Sequence, residues 1–353
     1  MPRPAVVESE RSRTLSPSMD VLSLQDVLRA HRIIRRHLSC TPFLHSPLVS
    51  RLVGTELHLK YENHCLIGSF KGRGALACLS RLKKADHSPG VVTASTGNHG
   101  QGMALAGGLL KIKVQIYVPE KCNPGKLAML KALGASVVPV GKDLDDCKTV
   151  AKQESERAGR LFVEDGNEVS MCAGTATIAL EMLEANPEID TIVVPVGNGA
   201  LISGVGFLAK AVSPRIRVIG VQAEAAPCMY LSWKQGRPVE TDRGETFADG
   251  IATRIPTELS LQMMKETVDE MVLVSEEELE EAIYLLLSKT HCLVEGAGAA
   301  ALAGALKLKD SLKERTVALI LTGANLESSK LKEILNKYCG GSPCDTDAPG
   351  PTL

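Results

Sequence analysis

A lysine stands in a loop of small residues, Gly68-Ser69-Phe70-Lys71-Gly72-Arg73-Gly74-Ala75, where bare backbone lets another group come close to its amine. Three further loops are spread along the chain: Ser95-Thr96-Gly97-Asn98-His99-Gly100, Gly197-Asn198-Gly199-Ala200-Leu201-Ile202-Ser203-Gly204 and Leu321-Thr322-Gly323-Ala324-Asn325. A reactive amine, an amide-bearing loop, a glycine-rich phosphate cradle and a late hydroxyl are the parts that a pyridoxal phosphate site needs. The lysine would form a Schiff base, and the other three loops would hold ring and phosphate.

The elements that must carry these loops follow from hydrophobic patterning. Strand-like runs at 56–61, 91–95, 113–118, 136–140, 160–164, 191–196, 217–223, 270–274 and 316–322 alternate with helical patterns at 69–82, 100–110, 124–134, 144–159, 175–186, 201–212 and 276–290. Many of the strands are unbroken Val/Ile/Leu runs, the mark of parallel strands covered on both faces. Ser275 and Glu278 form a capping box for the last of these helices. The alternation predicts an α/β fold with right-handed crossovers. Each key loop then lies at or near the C-terminal end of a strand, and three of them open a helix, which is where open α/β sheets bind ligands.

Each motif also has a plainer reading. A lysine near a helix start is commonly a solvated charge, but Lys71 lies early in an apolar helix, where partial burial would free the amine as a nucleophile. The segment 197–204 follows an apolar strand and leads into a helix whose first N–H groups and dipole would hold a phosphate. A dinucleotide site needs G-x-G-x-x-G, whereas this segment reads G-x-G-x-x-x-x-G; Glu224 after the next strand keeps an NAD-binding oxidoreductase as a competing reading. The turn 95–100 could bind a carboxylate through N–H groups, or serve only as a helix start capped by Ser95 or Thr96. Thr322 alone is a strand-end hydroxyl. Glu295, one charge inside Val294-Glu295-Gly296-Ala297-Gly298-Ala299, is either a surface acid or a buried one that needs a partner such as a cofactor ring.

Composition limits the alternatives. The chain has 353 residues, 44% of them hydrophobic and 23% charged, with a net charge of -1, so neither nucleic acid nor an acidic membrane is an expected partner. Aromatic residues are only 3%, which also argues against base-stacking surfaces. Ten cysteines with no C-x-x-C pair read as buried, reduced thiols and favour a cytoplasmic location. No run approaches the ~20 apolar residues of a membrane span, and the N-terminus lacks an apolar signal core. Residues 1–20 and 340–353 read as loose tails.

With these loops in this order, residues 22–338 resemble the threonine/serine dehydratase and serine racemase family of fold-type II pyridoxal phosphate enzymes. The G-S-F-K-x-R-G-A element is the most specific match, followed by S-T-G-N-H-G-Q. The resemblance implies Lys71 as the Schiff-base lysine and the base at the substrate Cα. It implies that Phe70 and Asn98 contact the cofactor, Asn98 at its 3′ oxygen. Gly197, Asn198, Gly199, Ala200 and Leu201 would hold the phosphate, Thr322 would face the pyridine nitrogen, and Glu295 would lie near the ring. Ser95, Thr96, Asn98 and His99 would surround the substrate carboxylate. It implies two parallel-sheet α/β domains (tryptophan synthase beta-like) with the cofactor in the cleft: a large one from 21–87 and 166–339 and a small mobile one from 88–165.

The expected reaction is α,β-elimination of L-threonine, L-serine or a related β-hydroxyamino acid to a 2-oxo acid and ammonia. Homodimers or homotetramers are usual in the family. Amino-acid racemisation is the nearest rival; a β-replacement synthase or a non-catalytic sensor stands further off. Three departures matter. Asn198 and Ala200 replace two of the family's four loop glycines, and Thr96, a second catalytic candidate, stands where racemases have a serine that acts on the face opposite the lysine. Gln222 and Cys228 occupy the places of the family's divalent-metal ligands, so no metal is expected.

Overall fold

The apolar runs form strands because both of their faces find cover. The computed structural model describes residues 22–84, 90–242 and 244–339; the expected tails lie outside them. Ten strands occur among the described residues: β1 (Phe43–His45), β2 (Glu56–Lys60), β3 (Val91–Ala94), β4 (Val114–Val118), β5 (Ser136–Pro139), β6 (Leu161–Phe162), β7 (Thr191–Pro195), β8 (Arg217–Ala223), β9 (Glu270–Val274) and β10 (Thr316–Ile320). They make two sheets, one of six strands ordered β1-β2-β10-β7-β8-β9 and one of four ordered β5-β4-β3-β6. Every pair is parallel except β1 with β2. The parallel α/β architecture expected from the sequence is present. Strand β1 was not expected; it is three mostly exposed residues with no alternation to read.

Two boundary shifts bear on function. The expected strand at 160–164 is cut to Leu161–Phe162, so Glu164 and Asp165 leave the sheet. The expected helix at 69–82 begins at Lys71 instead. Ser69 and Phe70 are held extended against the end of β10, through a bridge from Ser69 to Gly323 and a bond from the Phe70 N–H to Thr322 O at 3.1 Å.

The helix Val169–Ala185 starts ahead of the expected 175, and helices Leu24–Ile34, Gly296–Lys307 and Ser328–Cys339 add to those expected. Apart from its terminal lysine, Gly296–Lys307 is made of glycine, alanine and leucine and is buried nearly all round, so it shows no polar stripe. The Ser275–Glu278 capping box is formed.

One apolar core runs unbroken from the smaller sheet (Val91, Ile116) to the larger (Ile192, Ile320), through the helices Lys71–Lys84, Asn98–Leu110, Val169–Ala185 and Ala200–Val212. A second core covers the other face of the larger sheet under Gly296–Lys307. Among the described residues no helix is long and apolar enough to cross a membrane. The nine described cysteines are free thiols; five are buried as expected, but Cys40 and Cys339 are exposed, and Cys344 lies outside the described residues.

Candidate active site

Lys71 is aimed by what lies before and behind it. Before it, the loop after β2 folds back on β10: the Ala324 N–H donates to Gly68 O at 2.8 Å, which fixes the lysine beside Thr322. Behind it, one turn into the helix, Arg73 is only 1% exposed. Its guanidinium donates to Glu62 at 2.8 and 2.9 Å and to both carboxylate oxygens of Glu181 at 2.7 Å. Lys60 donates to Glu181 at 2.6 Å, and Thr41 to Glu62 at 2.6 Å. Two buried cations thus face two buried carboxylates, each charge hydrogen-bonded. Burial alone would raise the Glu181 carboxyl; Arg73 and then Lys60 outweigh it and hold it down at about 2.

The Lys71 ammonium lies 4.9 Å from the centre of the Phe70 ring and hydrogen-bonds Asp165. The sequence reading expected partial burial to leave this amine free. It is instead tied to a carboxylate that the shortened β6 delivers into the cleft. Burial works against ionisation of Asp165, but the charge of Lys71, then His99, and a bond from the Asn198 side chain keep it ionised, well below the usual carboxylate range. His99 lies with Nδ1 3.9 Å from Asp165 and Nε2 3.1 Å from the Thr93 hydroxyl. Burial holds the imidazole below its ordinary value, although Asp165 pulls the other way.

The four loops converge. Asn98, the first residue of the helix Asn98–Leu110, donates to Glu295 at 2.7 Å and accepts from Asn325 Nδ2 at 2.6 Å. Asn325 also donates to Ile67 O at 3.0 Å, so a chain of amides ties three loops together. Burial lifts the Glu295 carboxyl to about 7, against the lowering effect of Asn98. Ser95 caps the turn, its hydroxyl accepting from the N–H of Gly97 at 3.3 Å and of Gly100 at 3.1 Å. Thr96 sits half-buried on the same turn.

Gly199 caps the helix Ala200–Val212 with a left-handed φ of 95°, which favours glycine. Gly197, Asn198, Gly199 and Leu201 line one cavity together with Phe70, Lys71, Asn98, Glu295 and Thr322, and Ala200 begins the helix at its edge. Gln222 and Cys228 are fully buried and do not line this cavity; the Gln222 side-chain oxygen Oε1 accepts the Tyr230 N–H at 2.8 Å.

These residues fit pyridoxal phosphate. The Thr322 hydroxyl is 3% exposed and without a hydrogen-bond partner among the described residues, as a group awaiting a ring nitrogen would be. The start of the helix Ala200–Val212 offers free N–H groups and a positive dipole end to a phosphate. Three participants were not singled out from sequence: Asp165, Asn325 and Arg73. Arg73 and Asn325 lie within the quoted motifs. Asp165 opens an Asp-Gly turn after a strand, which is the signal that could have marked it.

This geometry is that of a cofactor-dependent enzyme of the α/β class. Residues 34–323 match the family described as "Pyridoxal-phosphate dependent enzyme", and the chain belongs to it. An L-threonine ammonia-lyase of Thermotoga maritima is 38% identical over 90% of this chain and 79% of its own. The processed form of threonine deaminase isoform 2 from Solanum lycopersicum superposes with a TM-score of 0.84 at 31% identity, covering 90% of this chain and 94% of that one. Maize serine racemase does so with a TM-score of 0.83 at 29% identity, covering 90% and 99%.

Proposed function

We propose that this chain is an ammonia-lyase that converts L-threonine or L-serine, or a related β-hydroxyamino acid, to a 2-oxo acid and ammonia. The observation that carries this reading is the Lys71 amine at the mouth of a cleft that also holds the unpartnered Thr322 hydroxyl and the glycine-loop helix start. The ammonia-lyase relative and the threonine deaminase fold support the choice of substrate.

When bound, the cofactor withdraws electrons and stabilises negative charge at the substrate Cα. Lys71 would hold the cofactor covalently and would take the proton at the substrate Cα. The turn Ser95, Thr96, Asn98 and His99 holds the substrate carboxylate, where the helix start leaves N–H groups free. Gly197, Asn198, Gly199, Ala200 and Leu201 hold the phosphate. Thr322 would offer the ring nitrogen a neutral hydroxyl, which would not protonate it as a carboxylic acid does and would favour loss of the β-substituent. Phe70 and Glu295, which line the same cavity, would lie near the ring.

The four-stranded sheet belongs to a small mobile domain, 88–165, that closes over substrate and excludes water; residues 21–87 and 166–339 form the other. The working assembly is a homodimer or homotetramer in a reducing cytoplasm.

Purified protein should show a visible absorption band with bound cofactor, and Lys71→Ala should remove it together with 2-oxo acid release in a coupled assay. Full activity in that variant would sink the reading. Racemisation is the second reading, favoured by the likeness to serine racemase and by a hydroxyl at Thr96. Abundant D-serine with little pyruvate would select it.

A further inference from the structure

The cleft holds a carboxylate that the proposed reaction does not use. Asp165 bonds the Lys71 amine through Oδ2 and faces His99 Nδ1 at 3.9 Å through Oδ1. On its third side the Asn198 side chain, within the glycine loop, helps to hold its carboxyl down. The contact is built into the backbone. Gly166 takes a left-handed φ of 85°, and a Cβ there would come within 2.8 Å of Asn198 Cγ, so a side chain would push the Asp165 turn off the loop. Ser260 clamps the turn from the other side, its hydroxyl donating to Gly166 O at 3.1 Å. Asn198 meanwhile accepts the Ala200 N–H at 3.4 Å, one of the helix-start donors proposed for the phosphate.

The charges then compete. A phosphate drawn to the N–H groups of Gly199, Ala200 and Leu201 would bring its negative charge up to the residue that holds Asp165. Like charges in a partly buried cleft repel strongly. Burial pushes the His99 imidazole below its ordinary value, which weakens any offset it gives to that repulsion. Glu295, a half-protonated carboxyl at neutral pH, adds no positive charge either. Anion binding at the loop and the grip of Asp165 on Lys71 therefore oppose each other.

We propose that Asp165 is a positioning residue that holds the Lys71 amine in the cofactor-free chain and releases it when an anion occupies the glycine loop. This rests on the reading that Lys71 carries the cofactor and that residues 197–201 hold its phosphate. Capture would be ordered: the phosphate docks first, and only then does the amine become free to attack the aldehyde. Premature reaction of Lys71 with stray aldehydes would be suppressed by the same contact.

The test uses the full-length chain stripped of cofactor. Lysines are acylated with trace acetic anhydride, and mass spectrometry reads Lys71 against the exposed Lys265 and Lys332 as internal references. Inorganic phosphate is the probe, with sodium chloride at matched ionic strength as control. Phosphate should speed Lys71 labelling about ten-fold, the worth of one charge-assisted hydrogen bond. Asp165→Asn should label fast without phosphate and gain nothing from it. Asp165→Glu should restore slow labelling and the phosphate response. An unchanged wild-type rate in phosphate, or an Asp165→Asn rate as slow as wild type, would overturn the proposal. Should Asp165→Asn fail to fold by circular dichroism, the wild-type phosphate response decides alone. Borohydride trapping of pyridoxal phosphate separates the two readings. Trapping at Lys71 without a phosphate effect removes only this inference. A phosphate effect without trapping at Lys71 removes the assignment of that lysine.

Discussion

Glu295 carries a titration cost set by its surroundings. Its carboxyl is lifted to about 7, first by burial, while the unfolded chain would ionise it near 4.5. The folded state therefore binds more protons between those values, and stability falls as pH rises through that window. Glu295→Gln keeps an acceptor for Asn98 and removes the charge. It should stabilise the cofactor-free chain by on the order of 2 kcal/mol at pH 8 and by almost nothing at pH 4.5, as measured by urea unfolding at the two pH values. An equal effect at both would show that the carboxyl is solvated. The acid was legible in the sequence as one charge in a small-residue segment; its partner was not, because Asn98 lies 197 residues away.

At the scale of elements, the Arg73 cluster joins β2, the loop after it, the lysine helix and the helix Val169–Ala185. Glu181 is held at about 2, so its contribution to stability is complete above 4.5 and is lost as pH falls toward 2. Glu181→Gln leaves Lys60 and Arg73 with a single carboxylate. It should cost on the order of 3 kcal/mol at pH 7 and much less at pH 2, read from guanidinium unfolding curves. Visible absorbance should weaken in parallel, since Lys71 sits two residues from Arg73. Wherever an apolar run met a small-residue loop, the element and the place of the loop beside the cleft could be read from sequence. The early end of β6 could not be read, because residues 160–164 look uniformly strand-like and the partners of Asp165, Lys71 and His99, lie far away in sequence. The all-buried helix Gly296–Lys307 was missed for the opposite reason: with no exposed face it has no period to detect.

At the scale of the whole molecule, the cleft lies where loops from both sheets meet, so a ligand there ties the two together. Saturation with pyridoxal phosphate at about a hundred times its dissociation constant should add about 2.7 kcal/mol and raise Tm by roughly 5 °C, measured by differential scanning calorimetry. Lys71→Ala should lose most of that gain. The order of the larger sheet carries one more consequence. Of the described strands β10 is the last to leave the ribosome, yet it lies between β2 and β7. Until Thr316–Ile320 emerges, those two early strands each present an open hydrogen-bonding edge with nothing to close it. A nascent chain halted short of that point is therefore a sticky fragment and not a smaller enzyme. Premature stop codons anywhere before Thr316 should yield aggregated or chaperone-bound product, whereas a stop just after the final described helix should not.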